Sequence, residues 1–161
     1  MMRPDWDLYF MTVARVVSTR STCLRRRVGA IIVKGNRILS TGYNGAPSGL
    51  THCLDIGCFR EKQGVKSGER HELCRGLHAE QNAMLQAAVY GVSIAGGTLY
   101  TTHQPCVLCA KMIIQAGIER VVFGGEYPDT LAQDILSEAG IRVERYTGQL
   151  SLPVGGDGGK D

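Results

Sequence analysis

The stretch TLYTTHQPCVLCAKMIIQAGIERVVF, residues 98–123, decides the fold. It reads as a β-prone run at 98–102, an apolar segment of helix length at 105–116 and a second β-prone run at 120–123. A strand, a helix and a strand in that order imply two parallel strands of one sheet, with the helix crossing over a face. Toward the C-terminus a helix at 130–139 and a strand at 141–146 continue the alternation. Toward the N-terminus stands a helix at 78–90, preceded by two β-prone runs, 28–33 and 37–43, joined by Lys34, Gly35 and Asn36. Gly and Asn tolerate the positive φ that a tight turn demands, so the two runs form an antiparallel hairpin. Apolar residues at helical spacing from Trp6 to Val17, with Asp5 placed to cap the first turn, add an opening helix over 5–19. The expected fold is α/β: a three-layer α/β/α sandwich with a mixed five-stranded sheet.

A chain of 161 residues, 43% hydrophobic, has the size of one globular core. We expect one domain over 1–146 and a flexible tail over 147–161, where four of the last seven residues are glycine and apolar surface is too scarce to offset ordering entropy. The net charge of +3 suits an enzyme that binds a small anion better than a protein that coats long nucleic acid. The first residues lack the apolar core of a secretory signal, and no run long enough to span a membrane follows, so a cytoplasmic location is expected. In that reducing compartment six cysteines point to metal ligation or catalysis rather than disulfides. All four histidines and five of the six cysteines fall between His52 and Cys109. Within that span, residues 44–77 show no sustained helix or strand pattern and are too long for a bare connection, so something other than an apolar core must order them.

The chemistry concentrates in two short motifs. His78 of His78-Ala79-Glu80 lies 28 residues before Cys106 of Pro105-Cys106-Val107-Leu108-Cys109, and each motif stands at an expected helix start. Cys106 and Cys109, three apart, share one helical face, and the positive end of a helix dipole favours their thiolates. One imidazole and two thiolates hold a tetrahedral zinc and leave its fourth position to water. Zinc lowers the pKa of such a water from about 15.7 to about 7. Glu80 is too close to His78 in sequence for comfortable co-ligation, yet reaches the same position from the first turn, as a proton shuttle requires. A lone Cys-x-x-Cys also suits a structural zinc half-site, a redox pair or buried thiols; the whole H-x-E and P-C-x-x-C arrangement is a recognised zinc deaminase signature.

With these motifs the sequence resembles the cytidine deaminase superfamily and, within it, the dCMP (deoxycytidylate) deaminases, including the bacterial competence-operon type. The resemblance runs from Arg3 to Tyr146 and rests also on Val28-Gly29-Ala30-Ile31-Ile32-Val33, on the loop Gly42-Tyr43-Asn44-Gly45-Ala46-Pro47-Ser48-Gly49, on His78-Ala79-Glu80-Gln81-Asn82-Ala83 and on Gly117-Ile118-Glu119-Arg120-Val121-Val122. It implies a cytidine deaminase-like fold and hydrolysis of dCMP to dUMP and ammonia, feeding thymidylate synthesis. It further implies that Asn44 hydrogen-bonds the sugar, that the Ala79 backbone N–H meets the pyrimidine carbonyl and that Tyr127 lies over the substrate. A homo-oligomer, hexamer or dimer, and the effectors dCTP and dTTP, with Mg accompanying a triphosphate, belong to the same expectation.

A monophosphate needs a cationic cradle, and Arg25, Arg26 and Arg27 stand just before the first strand; Arg26 is taken as the candidate, against the plainer reading of a solvated basic face. For Asn44 the plainer reading is a turn residue. His71-Glu72-Leu73-Cys74 has ligand spacing and, with Cys23 and Cys53, makes a candidate second, structural zinc site that would order residues 44–77. Cys58 or His52 can stand in for Cys53, and reduced cysteines buried as small hydrophobes are the alternative. His103 is read as a pocket wall or strand-end histidine, not a ligand. The competing functions are a tRNA adenosine deaminase, a free-cytidine deaminase and a zinc-stabilised nucleotide-binding module without catalysis.

Overall fold

The structure, a computed structural model, describes residues 3–126 and 129–150. β1 (Gly29–Lys34) and β2 (Arg37–Tyr43) form the expected antiparallel hairpin. Gly35 and Asn36 turn it with φ of 55° and 59°, as a tight two-residue connection between twisted strands demands. β1 also pairs antiparallel with β3 (Thr98–His103), which pairs parallel with β4 (Arg120–Gly125), which pairs parallel with β5 (Arg142–Arg145). The sheet order is β2-β1-β3-β4-β5, mixed and five-stranded as read from the sequence.

Alternation along the strands builds two cores. Ala30, Ile32, Leu99 and Val121 point to one face and are covered by α4 (Ala79–Val89), α5 (Val107–Gln115) and α6 (Thr130–Glu138). Their neighbours Ile31, Val33, Tyr100 and Val122 point to the other, where Phe10, Met11 and Ala14 of α1 (Trp6–Ser18) meet them. Because a strand's side chains alternate with period two, both faces of the inner strands are apolar, as a sheet covered on both sides requires. Asp5 caps α1, accepting from Leu8 N at 2.7 Å. Leu150 rests against the α1-side core; residues 151–161, the greater part of the expected tail, lie outside the described residues.

Residues 44–77 hold three short turns of helix absent from the sequence reading: α2 (Cys53–Ile56), α3 (Phe59–Lys62) and a 3₁₀ turn (His71–Leu73). The ends of the segment are tied by a reciprocal backbone pair, Gly45 N to Leu77 O at 3.2 Å and Leu77 N to Gly45 O at 2.8 Å. Between them, arginine side chains donate to backbone carbonyls: Arg25 to Val65 O and Arg60 to Glu69 O, both at 2.6 Å, and Arg75 to Thr51 O at 2.8 Å. Such bonds satisfy carbonyls that a segment without long regular structure leaves over. Among the described residues no helix is long and apolar enough to cross a membrane.

Candidate active site

The N-termini of α4 and α5 come together, bringing His78 to Cys106 and Cys109. His78 is the N-cap of α4, with its backbone N–H donating to the Gln81 side chain at 2.8 Å. The approach of α4 to the sheet depends on Gly42 in β2: a Cβ there would lie 2.2 Å from Ala79 O and 2.3 Å from Ala83 N. α5 begins at Val107, two residues later than expected, so Cys106 is its extended N-cap and Cys109 lies in its first turn. One carboxylate fixes this start. Asp129 accepts from Val107 N at 2.8 Å and, with its other oxygen, from Ala132 N at 3.0 Å, capping α5 and α6 together. The sequence reading missed Asp129; its place just before a helix was a visible capping signal, but its reach to α5 depends on tertiary packing.

His78 Nδ1 stands 3.4 Å from Cys106 Sγ and 3.3 Å from Cys109 Sγ, and the three ligand atoms lie within 4.8 Å of one another. A tetrahedral zinc at ordinary Zn–S and Zn–N lengths sets N···S separations of about 3.6 Å, so the donor set fits the ion with little adjustment. Among the described residues no other His, Cys, Asp or Glu joins this group, which leaves a fourth coordination position free of side chains. The Cys106 thiol is held down to about 4, chiefly because Cys109 donates to it, with His78 adding to the effect against the opposing pull of burial. Cys109 is pushed up by the same contact and by burial. Two thiols this close do not both ionise unless a cation shares their charge, and a soft-ligand dication is what this pair is built to take.

Glu80 is 4% exposed, with Oε2 3.7 Å from Cys109 Sγ. Burial pushes its carboxyl up to about 7, so both protonation states are accessible near neutrality. The two motifs, read from spacing alone, are thus assembled as one site, with Glu80 beside the trio rather than within it.

The cleft in front of this site is lined by Asn44, Ala79, Arg25 and Arg26, while Arg27 lies on a different groove beside Arg15. Asn44 has ordinary negative φ, so it is no left-handed turn residue. Its Oδ1 accepts from Ser21 Oγ at 2.6 Å and Val28 N at 2.9 Å, and its Nδ2 donates to Arg26 O at 2.8 Å, so it pins the arginine segment to the end of β2 and keeps one amide hydrogen for a ligand. Ala79 opens α4, where backbone N–H groups have no acceptor within the helix. Burial holds the pKa of His103 below its usual value, with the charge of Arg26 adding to the effect, so His103 is a neutral part of the wall. Tyr127 lies outside the described residues.

The expected second-zinc set, Cys23, Cys53, His71 and Cys74, is not brought together: among the described residues only His78, Cys106 and Cys109 place three ligand atoms within 4.8 Å. His71 sits on a 3₁₀ turn that gives way to extended backbone at Cys74, so the two side chains do not share the face their i, i+3 spacing would give in an α-helix. The His71 ring instead packs edge-on against His78, with centroids 5.0 Å apart. Burial raises Cys53, and the charges of Cys58, Cys74 and Cys23 raise it further, so all three lie within electrostatic range of Cys53.

Arg60 is a lining residue absent from the sequence reading, because it stands in the run Arg60-Glu61-Lys62, which has the composition of a solvated helix face. Among the described residues, the lining of the cleft carries Arg25, Arg26, Arg60 and Arg75 against a single carboxylate, Glu80.

Comparison with known proteins agrees with this geometry. Residues 4–125 match the family described as the cytidine and deoxycytidylate deaminase zinc-binding region. The chain is 41% identical over 145 residues to the deoxycytidylate deaminase of Schizosaccharomyces pombe, covering 89% of this chain but only 45% of that one. It is 40% identical over 146 residues to ComE operon protein 2 of Bacillus subtilis, covering 90% of this chain and 73% of that one. The crystal structure of dCMP deaminase from the cyanophage S-TIM5, in complex with dCMP and dUMP, superposes with a TM-score of 0.76 at 39% identity, over 91% of this chain and 100% of that one. The chain spans about half the length of its fission yeast relative and most of the bacterial one. By its motifs, its fold and this match, the chain belongs to the cytidine and deoxycytidylate deaminase zinc-binding family.

Proposed function

We propose that this protein is a zinc-dependent hydrolase that deaminates dCMP to dUMP and ammonia, feeding thymidylate synthesis. The observation that carries the reading is a three-ligand metal site with one position free of side chains, beside a buried carboxyl held near neutrality, in a cleft lined by arginines. His78, Cys106 and Cys109 hold the zinc, which supplies acidity to water and polarity to the reacting carbon's surroundings. Glu80 accepts a proton from the attacking water as its oxygen bonds to the C–NH₂ carbon. It delivers that proton to the adjacent ring nitrogen, then takes the proton left on the added hydroxyl and passes it to the amine, so that the C–N bond breaks, ammonia leaves and the carbonyl forms. In this reading the Ala79 N–H meets the pyrimidine carbonyl, Asn44 hydrogen-bonds the sugar, Tyr127 covers the base and Arg26 takes the phosphate. Burial of Glu80 keeps bulk water from competing for its proton.

The same reading includes a second, structural zinc. Its candidate ligands are Cys23, Cys53, His71 and Cys74, with Cys58 or His52 in place of Cys53, and the effect of Cys58, Cys74 and Cys23 on Cys53 supports it. It also includes a homo-oligomer, hexamer or dimer, with dCTP and dTTP as effectors, Mg accompanying the triphosphate, in the cytoplasm. The test is a hydrolysis panel of dCMP, cytidine, dCTP and a tRNA anticodon stem, with zinc quantified on the same sample. Turnover of dCMP above the others is expected; reaction of the RNA alone would refute the substrate assignment.

A further inference from the structure

Arg60 stands out from the other arginines. It is 8% exposed, on a four-residue helix of the inserted segment, and lines the same cleft as His78 and Glu80. Its Nη1 donates to Glu69 O, but its buried Nε has no partner, and among the described residues no carboxylate pairs with it. Its positive charge is felt by both His71 and His78, so the guanidinium lies within electrostatic range of the metal site. Arg25 repeats the arrangement: Nη2 is fixed on Val65 O, and its buried Nη1 has no partner. Removing a guanidinium from water without a counter-charge is unfavourable, and fixing one N–H on backbone while leaving another unmet is how a protein holds a cation ready for an anion. The fork of donors on an arginine suits the oxygens of a phosphate monoester. The two carbonyl contacts, to residues four apart in one loop, hold both side chains against the same wall.

We propose that Arg60, with Arg25 beside it, binds the 5′-phosphate of the nucleotide substrate and so sets the preference for a monophosphate over a nucleoside. This rests on the dCMP deaminase reading and adds Arg60, which lies outside the triple-arginine run. Arg60 is a binding and positioning residue, so its loss shows in KM and in substrate preference rather than in proton transfer.

The experiment measures kcat and KM for dCMP and for deoxycytidine in the zinc-loaded wild type, Arg60→Gln and Arg60→Lys, with inorganic phosphate as a competing probe. A charge-assisted hydrogen bond lost from a phosphate corresponds to a rise in KM for dCMP of about 10- to 100-fold in Arg60→Gln, with a smaller rise in Arg60→Lys. The kcat/KM for deoxycytidine stays within about twofold, and phosphate competes with dCMP in the wild type but much more weakly in Arg60→Gln. A general structural role would depress both substrates together, and that result overturns the proposal, as does an unchanged KM for dCMP with an altered response to dCTP. If Arg60→Gln does not fold, the wild type and Arg60→Lys still decide: failure of phosphate to compete with dCMP, or equal KM values in the two proteins, overturns it. A wild type that turns over deoxycytidine but not dCMP instead removes the dCMP reading on which the proposal stands.

Discussion

Gly42→Ala tests how the sheet positions the catalytic helix. The new methyl would lie 2.2 Å from Ala79 O, 2.3 Å from Ala83 N and 2.9 Å from the carbonyl carbon of Asn82, all backbone of α4. No side chain can rotate away to make room, so α4 itself must retreat by about 1 Å to reach ordinary contact distance. Overpacking of a buried contact costs about 1–3 kcal/mol, and three backbone clashes place this substitution at about 3 kcal/mol. The consequence for activity is separate and larger in character. His78 and Glu80 ride on the first turn of α4, while Cys106 and Cys109 ride on α5, so a retreat of α4 opens the trio and draws the carboxylate from the reacting centre. A misplacement of about 1 Å lowers turnover about 10²-fold. Urea denaturation gives the first quantity, and dCMP turnover well below the melting transition, at matched zinc content, gives the second. Retention of wild-type stability within about 0.5 kcal/mol together with undiminished kcat would refute the argument that Gly42 sets the height of α4.

Asp129→Ala removes the caps of α5 and α6 at once, and a loss of about 2 kcal/mol is expected in denaturant melts, with faster zinc loss to a chelator because the turn holding Cys106 and Cys109 loosens. Asp7→Asn is expected to remove about 1 kcal/mol, because Asp7 accepts from Arg120 and Tyr100 at the α1–sheet boundary and is partly exposed. Arg120 holds the Asp7 carboxyl below its ordinary value, so this stability is present above the unfolded value of 3.8 and is lost as pH falls through the lower folded value; melts of the two proteins should converge in acid. Metal analysis should find two zinc ions per chain in the wild type and one in Cys53→Ser; one in both would remove the second zinc.

Much of the fold was legible because its signals are local. The run from Thr98 to Phe123 carries a strand, a helix and a strand whose apolar residues obey their own periods, and Gly35-Asn36 permits few turns other than the one observed. The metal trio was legible because ligand spacing and helix starts coincide at His78 and Cys106. What escaped is held by contacts distant in sequence. Residues 44–77 are ordered by arginine side chains bonded to carbonyls up to 40 positions away and by the Gly45–Leu77 bridge, neither of which leaves a periodic trace. The ligand spacing of His71 and Cys74 carries no sign of the backbone between them, which is a single 3₁₀ turn that ends in extended chain. Arg60 looked like a surface charge because its burial depends on the fold of the insertion, not on its neighbours in sequence.

The central claim, that Glu80 moves protons beside a zinc held by His78, Cys106 and Cys109, is tested most directly by the rate of dUMP formation from dCMP in Glu80→Gln. The amide preserves shape but neither accepts nor donates the proton, so the variant is predicted to keep its full zinc content and to lose at least about 10²-fold in kcat. Turnover equal to the wild type at equal zinc content would contradict the account.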